Sequence, residues 1–199
     1  PLVYLNQVGG QDELVFDGAS FVLNADRTLA AQLPSFEESV VTLQWTRSAA
    51  GWHCTGPVAS QLEGDKADYA ACVLGLRDYV RKNGFPGVLL GVSGGIDSAL
   101  CAAIAVDALG AESVRGVMLP FRFTEQVSLD DAAMLAKALG MRYDVLPIAP
   151  AVNGFEEILS ATFAGLPCHI TEENLQSRAR GTLLMAISNK TGAMVVTTG

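Results

Sequence analysis

The sequence predicts an α/β fold, a doubly wound parallel sheet with helices on both faces, preceded by short β strands that have no helices between them. Three observations carry this. From residue 67 onward, short continuous apolar runs alternate with helix-period stretches, the pattern of repeated βα units. Residues 1–47 instead hold several short runs rich in β-branched and aromatic residues, separated by turn residues. One apolar run leads directly into Ser93-Gly94-Gly95-Ile96-Asp97-Ser98 and then into a helical stretch, and open α/β sheets bind ligands at such strand-to-helix turns.

Taken in order, strands are expected at Val3-Tyr4-Leu5, Leu14-Val15-Phe16, 20–23 and 40–45, with Gly9-Gly10 and Asn24-Ala25-Asp26 as turns. Between Ser48 and Lys66 periodicity fades and Gly, Ser and Pro accumulate. Residues 48–66 therefore read as a linker between a first domain, 1–47, and a second, 67–199. Over 67–83, Tyr69, Cys72, Val73, Leu76, Tyr79 and Val80 fall on one helix face, and Asn83-Gly84 with Pro86 ends that helix. Val88-Leu89-Leu90-Gly91-Val92 has no polar alternation, as expected of a strand covered on both faces. Helix is expected over 99–109, strand over 114–119, helix over 129–139 and strand over 143–148. Two helical stretches follow near 151–163 and 172–190, then a strand at 193–197. The chain begins at Pro1 rather than Met and stops at Gly199 just after the apolar run 193–196, so both ends read as cut.

Half the residues are apolar and 17% are charged, enough for a buried core and unlike a disordered chain. The net charge of −8 argues against nucleic acid as a partner, because phosphate neutralisation needs clustered Lys and Arg. No stretch reaches the ~20 apolar residues of a membrane span, and no basic segment leads into an apolar one at the N-terminus; a cytoplasmic location without membrane partners is expected. Cys54, Cys72, Cys101 and Cys168 are widely spaced and read as reduced thiols. Cys168-His169 has no second Cys/His pair at zinc spacing.

The loop at 93–98 carries the chemistry. Consecutive glycines let backbone N–H groups approach a phosphate without an intervening Cβ, and the following helix start adds its partial positive charge. Ser93 and Ser98 offer hydroxyls to the same oxygens, and Asp97 can hold a hard cation such as Mg²⁺ against them. The chain contains neither a Walker A loop nor a GxGxxG fingerprint.

The hexapeptide between a buried strand and a buried helix resembles the SGGxDS pyrophosphate-binding loop (PP-loop) of the ATP pyrophosphatases, whose fold is Rossmann-like. Within that superfamily, Gly116-Val117-Met118-Leu119-Pro120 with Thr124, Ser128 and Asp131-Ala132 looks like the adenosine-side strand and helix of NAD synthetases. Residues 173–181, Glu173-Asn174-Leu175-Gln176-Ser177-Arg178-Ala179-Arg180-Gly181, resemble the ENxxxRxR helix of that family. Val195-Val196-Thr197-Thr198-Gly199 resembles the start of its TTGNKSE segment. Asn6 to Gly18 with Ser20-Phe21-Val22 is similar to the late strands of the α/β nitrilase-type glutaminase domain that precedes the synthetase in glutamine-dependent enzymes.

The resemblance implies a ligase of NAD biosynthesis that amidates deamido-NAD with glutamine-derived ammonia through an acyl adenylate, releasing AMP and pyrophosphate. It implies ATP contacts at Gly91, Val92, Ser93, Gly94, Gly95, Ile96, Asp97, Ser98 and Thr198, with Ser93, Asp97 and Ser98 the catalytic set. Deamido-NAD contacts are implied at Asn174 and Arg178, Mg²⁺ on Asp97, and a homo-oligomer. The glutaminase Glu, Lys and Cys triad lies upstream of these residues in the family and has no counterpart here. Two other readings stay open: a different ATP pyrophosphatase, GMP synthetase-like or tRNA-modifying, and a nucleotide-binding module without catalysis.

Overall fold

The computed structural model describes residues 1–198, so Gly199 of the expected Thr-Thr-Gly segment lies outside the described residues. The chain packs as two compact units, Pro1–Tyr79 and Val80–Gly199.

In the first unit, β1 (Leu2–Tyr4), β4 (Phe21–Leu23) and β5 (Leu29–Gln32) form an antiparallel sheet in the order β1-β4-β5. β2 (Val8–Gln11) and β3 (Leu14–Asp17) make a separate antiparallel ribbon, as do β6 (Gln44–Ser48) and β7 (Gly51–Thr55). The expected strand at 40–45 begins only at Gln44, and Gly51–Thr55, inside the stretch read as aperiodic, is its partner. The hairpin forms because Ala49-Ala50 closes a two-residue turn, with Ser48 pairing Gly51, whose φ is +109°. The Ser48 hydroxyl accepts from the Ala50 N–H at 3.2 Å and so supports that turn.

A small core of Val22, Ala30, Ala31 and Cys54 binds the hairpin to the sheet. Buried Asn24 completes it: its Oδ1 accepts from the Cys54 N–H at 2.8 Å and its Nδ2 donates to the Cys54 carbonyl at 3.3 Å. One side chain thus satisfies both polar groups of a buried residue. Helix α1 (Asp65–Lys82) approaches β2 closely where two glycines meet, since a Cβ on Gly10 would lie 3.0 Å from Gly75 Cα. Asp78 Oδ2 accepts from the Gly10 N–H at 2.8 Å at the same contact.

The second unit follows the expected alternation: β8 (Val88–Gly91), α2 (Ile96–Leu109), a 3₁₀ turn (Ala111–Ser113), β9 (Val114–Met118), α3 (Gln126–Leu139), β10 (Arg142–Val145), α4 (Ala149–Leu159), α5 (Ile170–Thr191) and β11 (Met194–Val196). Among the described residues its four strands are all parallel, in the order β10-β9-β8-β11. The chain therefore moves one way from β8 to β10 and then returns past β8 to reach β11. Because crossovers are right-handed, reversing the direction puts the connecting helices on the opposite face. α2 and α3 accordingly pack on β8 and β9 from one side, through alanines 102, 105, 108, 132 and 136, which are all buried. On the other face Leu89 and Val117, with Leu119 and Ile148, meet Val152 of α4 and Ala179 of α5. Leu89 and Val117 are fully buried, the outcome expected of unalternated apolar strands.

The candidate nucleotide site at the sheet's switch point

Strand order reverses between β8 and β11, and there the carboxyl ends of the two strands open onto a cavity of about 360 Å³. Its wall includes the residues after β8 (Ser93, Gly95, Asp97 and Ser98), those after β11 (Thr197 and Thr198), and Arg180 of α5.

The loop is held by its own serines. Just past β8, the Val92 N–H still donates to the Val117 carbonyl at 2.9 Å. Ser98 is buried; its Oγ donates to the Gly95 carbonyl at 3.0 Å and accepts from the Ser93 N–H at 3.2 Å. Ser93 Oγ lies 3.1 Å from Ser98 Oγ and accepts from the Gly95 N–H at 3.2 Å. These contacts make Ser93 and Ser98 a clasp that fixes the turn.

The two glycines differ. Gly94 has φ +81°, and a Cβ there would come within 2.5 Å of the Ser128 carbonyl oxygen, so its backbone is pressed against the start of α3. A Cβ on Gly95 would meet only Ser93 Oγ, at 3.2 Å. Gly95 is also the N-cap of α2 and supplies no side-chain cap; the first intrahelical bond runs from the Ala99 N–H to its carbonyl. The N–H groups of the first helical turn are thus available to an anion, reinforced by the helix dipole.

Charge in the wall is sparse. Among the described lining residues Asp97 is the one carboxylate and Arg180 the one cation. Arg180 is partly buried, its Nε donates to the Leu119 carbonyl at 3.1 Å, and burial pulls its pKa below the usual arginine value. No group of three or more His, Cys, Asp or Glu that could hold a metal occurs among the described residues. A cation on Asp97 would take its other ligands from phosphate and water, which is how Mg²⁺ is commonly bound.

Of the residues expected to touch nucleotide, Gly91, Val92, Ser93, Gly95, Asp97, Ser98 and Thr198 line the cavity. Gly94 and the exposed Ile96 do not line it. Asn174 and Arg178 are exposed on α5 and lie outside its wall. Arg180, quoted above only as part of the ENxxxRxR resemblance, and Leu184 of α5 and Cys101 of α2 also line it, although none of them was among the expected contacts. Their helical spacing put Arg180 and Leu184 on one face, but nothing local says which face meets the sheet. His169, beside Cys168, caps α5: its Nδ1 accepts from the Thr171 N–H at 3.2 Å, while Glu172 Oε2 accepts from the His169 N–H at 2.7 Å.

A glycine- and serine-rich turn at the switch point of a parallel sheet, leading into a helix whose first turn has no side-chain cap, defines an α/β protein of the doubly wound class. The chain belongs to the NAD synthase family, whose model matches residues 68–199. It is 57% identical over its whole length to the glutamine-dependent NAD(+) synthetase of Rhodobacter capsulatus and 48% identical to that of Acinetobacter baylyi. It spans only 36% of either relative. Among solved structures, the glutamine-dependent NAD+ synthetase of Acinetobacter baumannii in complex with ADP aligns with a TM-score of 0.94 at 49% identity, over 99% of this chain and 37% of that one.

Proposed function

We propose that the protein containing this chain amidates deamido-NAD to NAD, using ATP to activate the nicotinate carboxylate and ammonia released from glutamine as the nitrogen donor. The observation that carries this is the Ser93–Ser98 clasp and the open α2 N-terminus, set in one cavity at the switch point. Family membership supports the choice of substrates, as does the likeness to an enzyme solved with ADP.

In the activation step a carboxylate oxygen of deamido-NAD forms a bond to the α-phosphorus of ATP, and the bond to pyrophosphate breaks. Ammonia then forms the C–N bond at the acyl carbon, a proton is lost and AMP departs with its oxygen. The chain's part is positioning and charge stabilisation. The Gly95 N-cap and first turn of α2 receive the pyrophosphate end, and the serine clasp keeps that turn in shape. Mg²⁺ held by Asp97 would supply a counter-charge for the phosphates. Thr198 would contact ATP from the opposite strand end. Asn174 and Arg178, one helical turn apart on the exposed face of α5, would contact deamido-NAD.

Residues 1–47 are assigned as the end of a nitrilase-type glutaminase domain, 48–66 as the connection and 67–199 as the synthetase. The assembly is read as a homo-oligomer in the cytoplasm. No helix among the described residues is long and apolar enough to cross a membrane.

The test is pyrophosphate release from ATP by the full-length protein, with and without deamido-NAD. Release that depends on deamido-NAD, and not on xanthosine monophosphate or aspartate, is expected. ATP binding with no release would identify a binding module instead.

A further inference from the structure

Arg180 is held where an arginine has little reason to be unless a ligand uses it. It is partly buried in the cavity wall, and among the described residues only its Nε is bonded, to the Leu119 carbonyl at 3.1 Å. That bond fixes the plane of the guanidinium but occupies one of its five donors. No carboxylate lies within ion-pair distance of it among the described residues. Yet the chain has an excess of acidic groups, with 21 Asp and Glu against 13 Lys and Arg. Burial without a partner works against the charged form, as the lowered pKa reflects. A half-buried arginine whose remaining donors have no acceptor among the described residues is arranged for an anion that arrives from outside, and the guanidinium fork matches phosphate oxygens. The loop and the α2 N-terminus already serve one end of the cavity with neutral donors; Arg180 adds, from another element, the one full positive charge among the described lining residues.

We propose that Arg180 is a binding residue whose guanidinium grips a phosphoryl group of the bound nucleotide, with the Leu119 carbonyl acting as the stop that aims it. This rests on the reading of the cavity as the ATP site, and goes beyond it by assigning the charge to Arg180 rather than to Arg178.

The experiment compares dissociation constants for ATP and for adenosine, measured by competition on the full-length wild type and its Arg180→Gln and Arg180→Lys variants. Arg180→Gln should weaken ATP about tenfold or more while leaving adenosine within about threefold. Arg180→Lys, which keeps the charge and loses the fork, should recover part of the ATP affinity. Equal weakening of ATP and adenosine in both variants would show that Arg180 only ties α5 to the end of β9, and would overturn the proposal. So would unchanged ATP affinity, or a rise confined to the KM for deamido-NAD. If the wild type itself fails to bind ATP, the reading of the cavity falls and this proposal with it, a result distinct from normal wild-type binding that the variants leave unaltered.

Discussion

At Gly94 and Gly95, adjacent residues of one type answer to different constraints, and substitution separates them. Gly94→Ala forces a Cβ against the Ser128 backbone in a left-handed conformation, so it should destabilise the fold by about 1 kcal/mol or more, read as a lowered denaturation midpoint. Gly95→Ala meets nothing of the chain closer than Ser93 Oγ. It should fold normally and lose affinity for ATP, because the added methyl group lies where backbone would approach phosphate. Normal ATP binding by a folded Gly95→Ala variant would mean that this turn does not receive phosphate. Asp97→Asn should keep its stability and lose turnover at limiting Mg²⁺, since an amide is the poorer ligand for a hard cation. A magnesium titration of pyrophosphate release that superimposes on wild type would remove the metal from Asp97. Arg178→Ala should raise the KM for deamido-NAD about tenfold with ATP binding preserved, whereas an ordinary surface charge would change it by less than about threefold.

At the scale of elements, α5 begins at a capping box built by His169 and Glu172, which accounts for the histidine of the Cys168-His169 pair without a metal. The His169 N–H holds the Glu172 carboxyl below its ordinary pKa of 4.5. A carboxyl with a lowered folded pKa contributes stability above its ordinary value and loses it as pH falls through the lowered one. The first turn of α5 should therefore be protected near neutrality and fray once the pH drops below the ordinary carboxylate range. Amide exchange at Thr171 and Glu172 across that range measures this, and Glu172→Ala should abolish the dependence. Protection that fell instead while carboxylates stay ionised would assign the cap to some other group. The β6–β7 hairpin is the element least legible beforehand. Its second strand, Gly51-Trp52-His53-Cys54-Thr55, alternates an aromatic and a buried thiol with polar residues, but Ala49-Ala50 is not a usual turn pair. Asn24, distant in sequence, provides the contact that holds it.

For the whole molecule, the central sheet depends on side chains buried from both faces. Leu89→Ala, at a fully buried position in β8, should cost about 2–5 kcal/mol and lower the denaturation midpoint well beyond any loop substitution. A loss under about 1 kcal/mol would mean the two layers collapse onto the gap. The α/β class, the parallel character of the sheet and the loop at 93–98 could be read from the chain because each is written in neighbouring residues. Unalternated apolar runs mark strands covered on both faces, glycines and serines mark the turn at 93–98, and helix periodicity marks what lies between. Other features came only from tertiary structure. The order β10-β9-β8-β11 rests on Met194 to Val196 pairing with Val88 to Leu90, and that pairing brings Thr197 and Thr198 beside the Ser93–Ser98 loop. The choice of Arg180 over Arg178 as the cation facing the cavity depends on which side of α5 lies against the sheet, and Ala179 and Leu184 settle that by packing into the core on β8 and β9. The physical reason is range. Turn chemistry and periodicity act over a few residues, whereas strand order and helix rotation are fixed by contacts between segments far apart in the chain, and no local pattern records those partners.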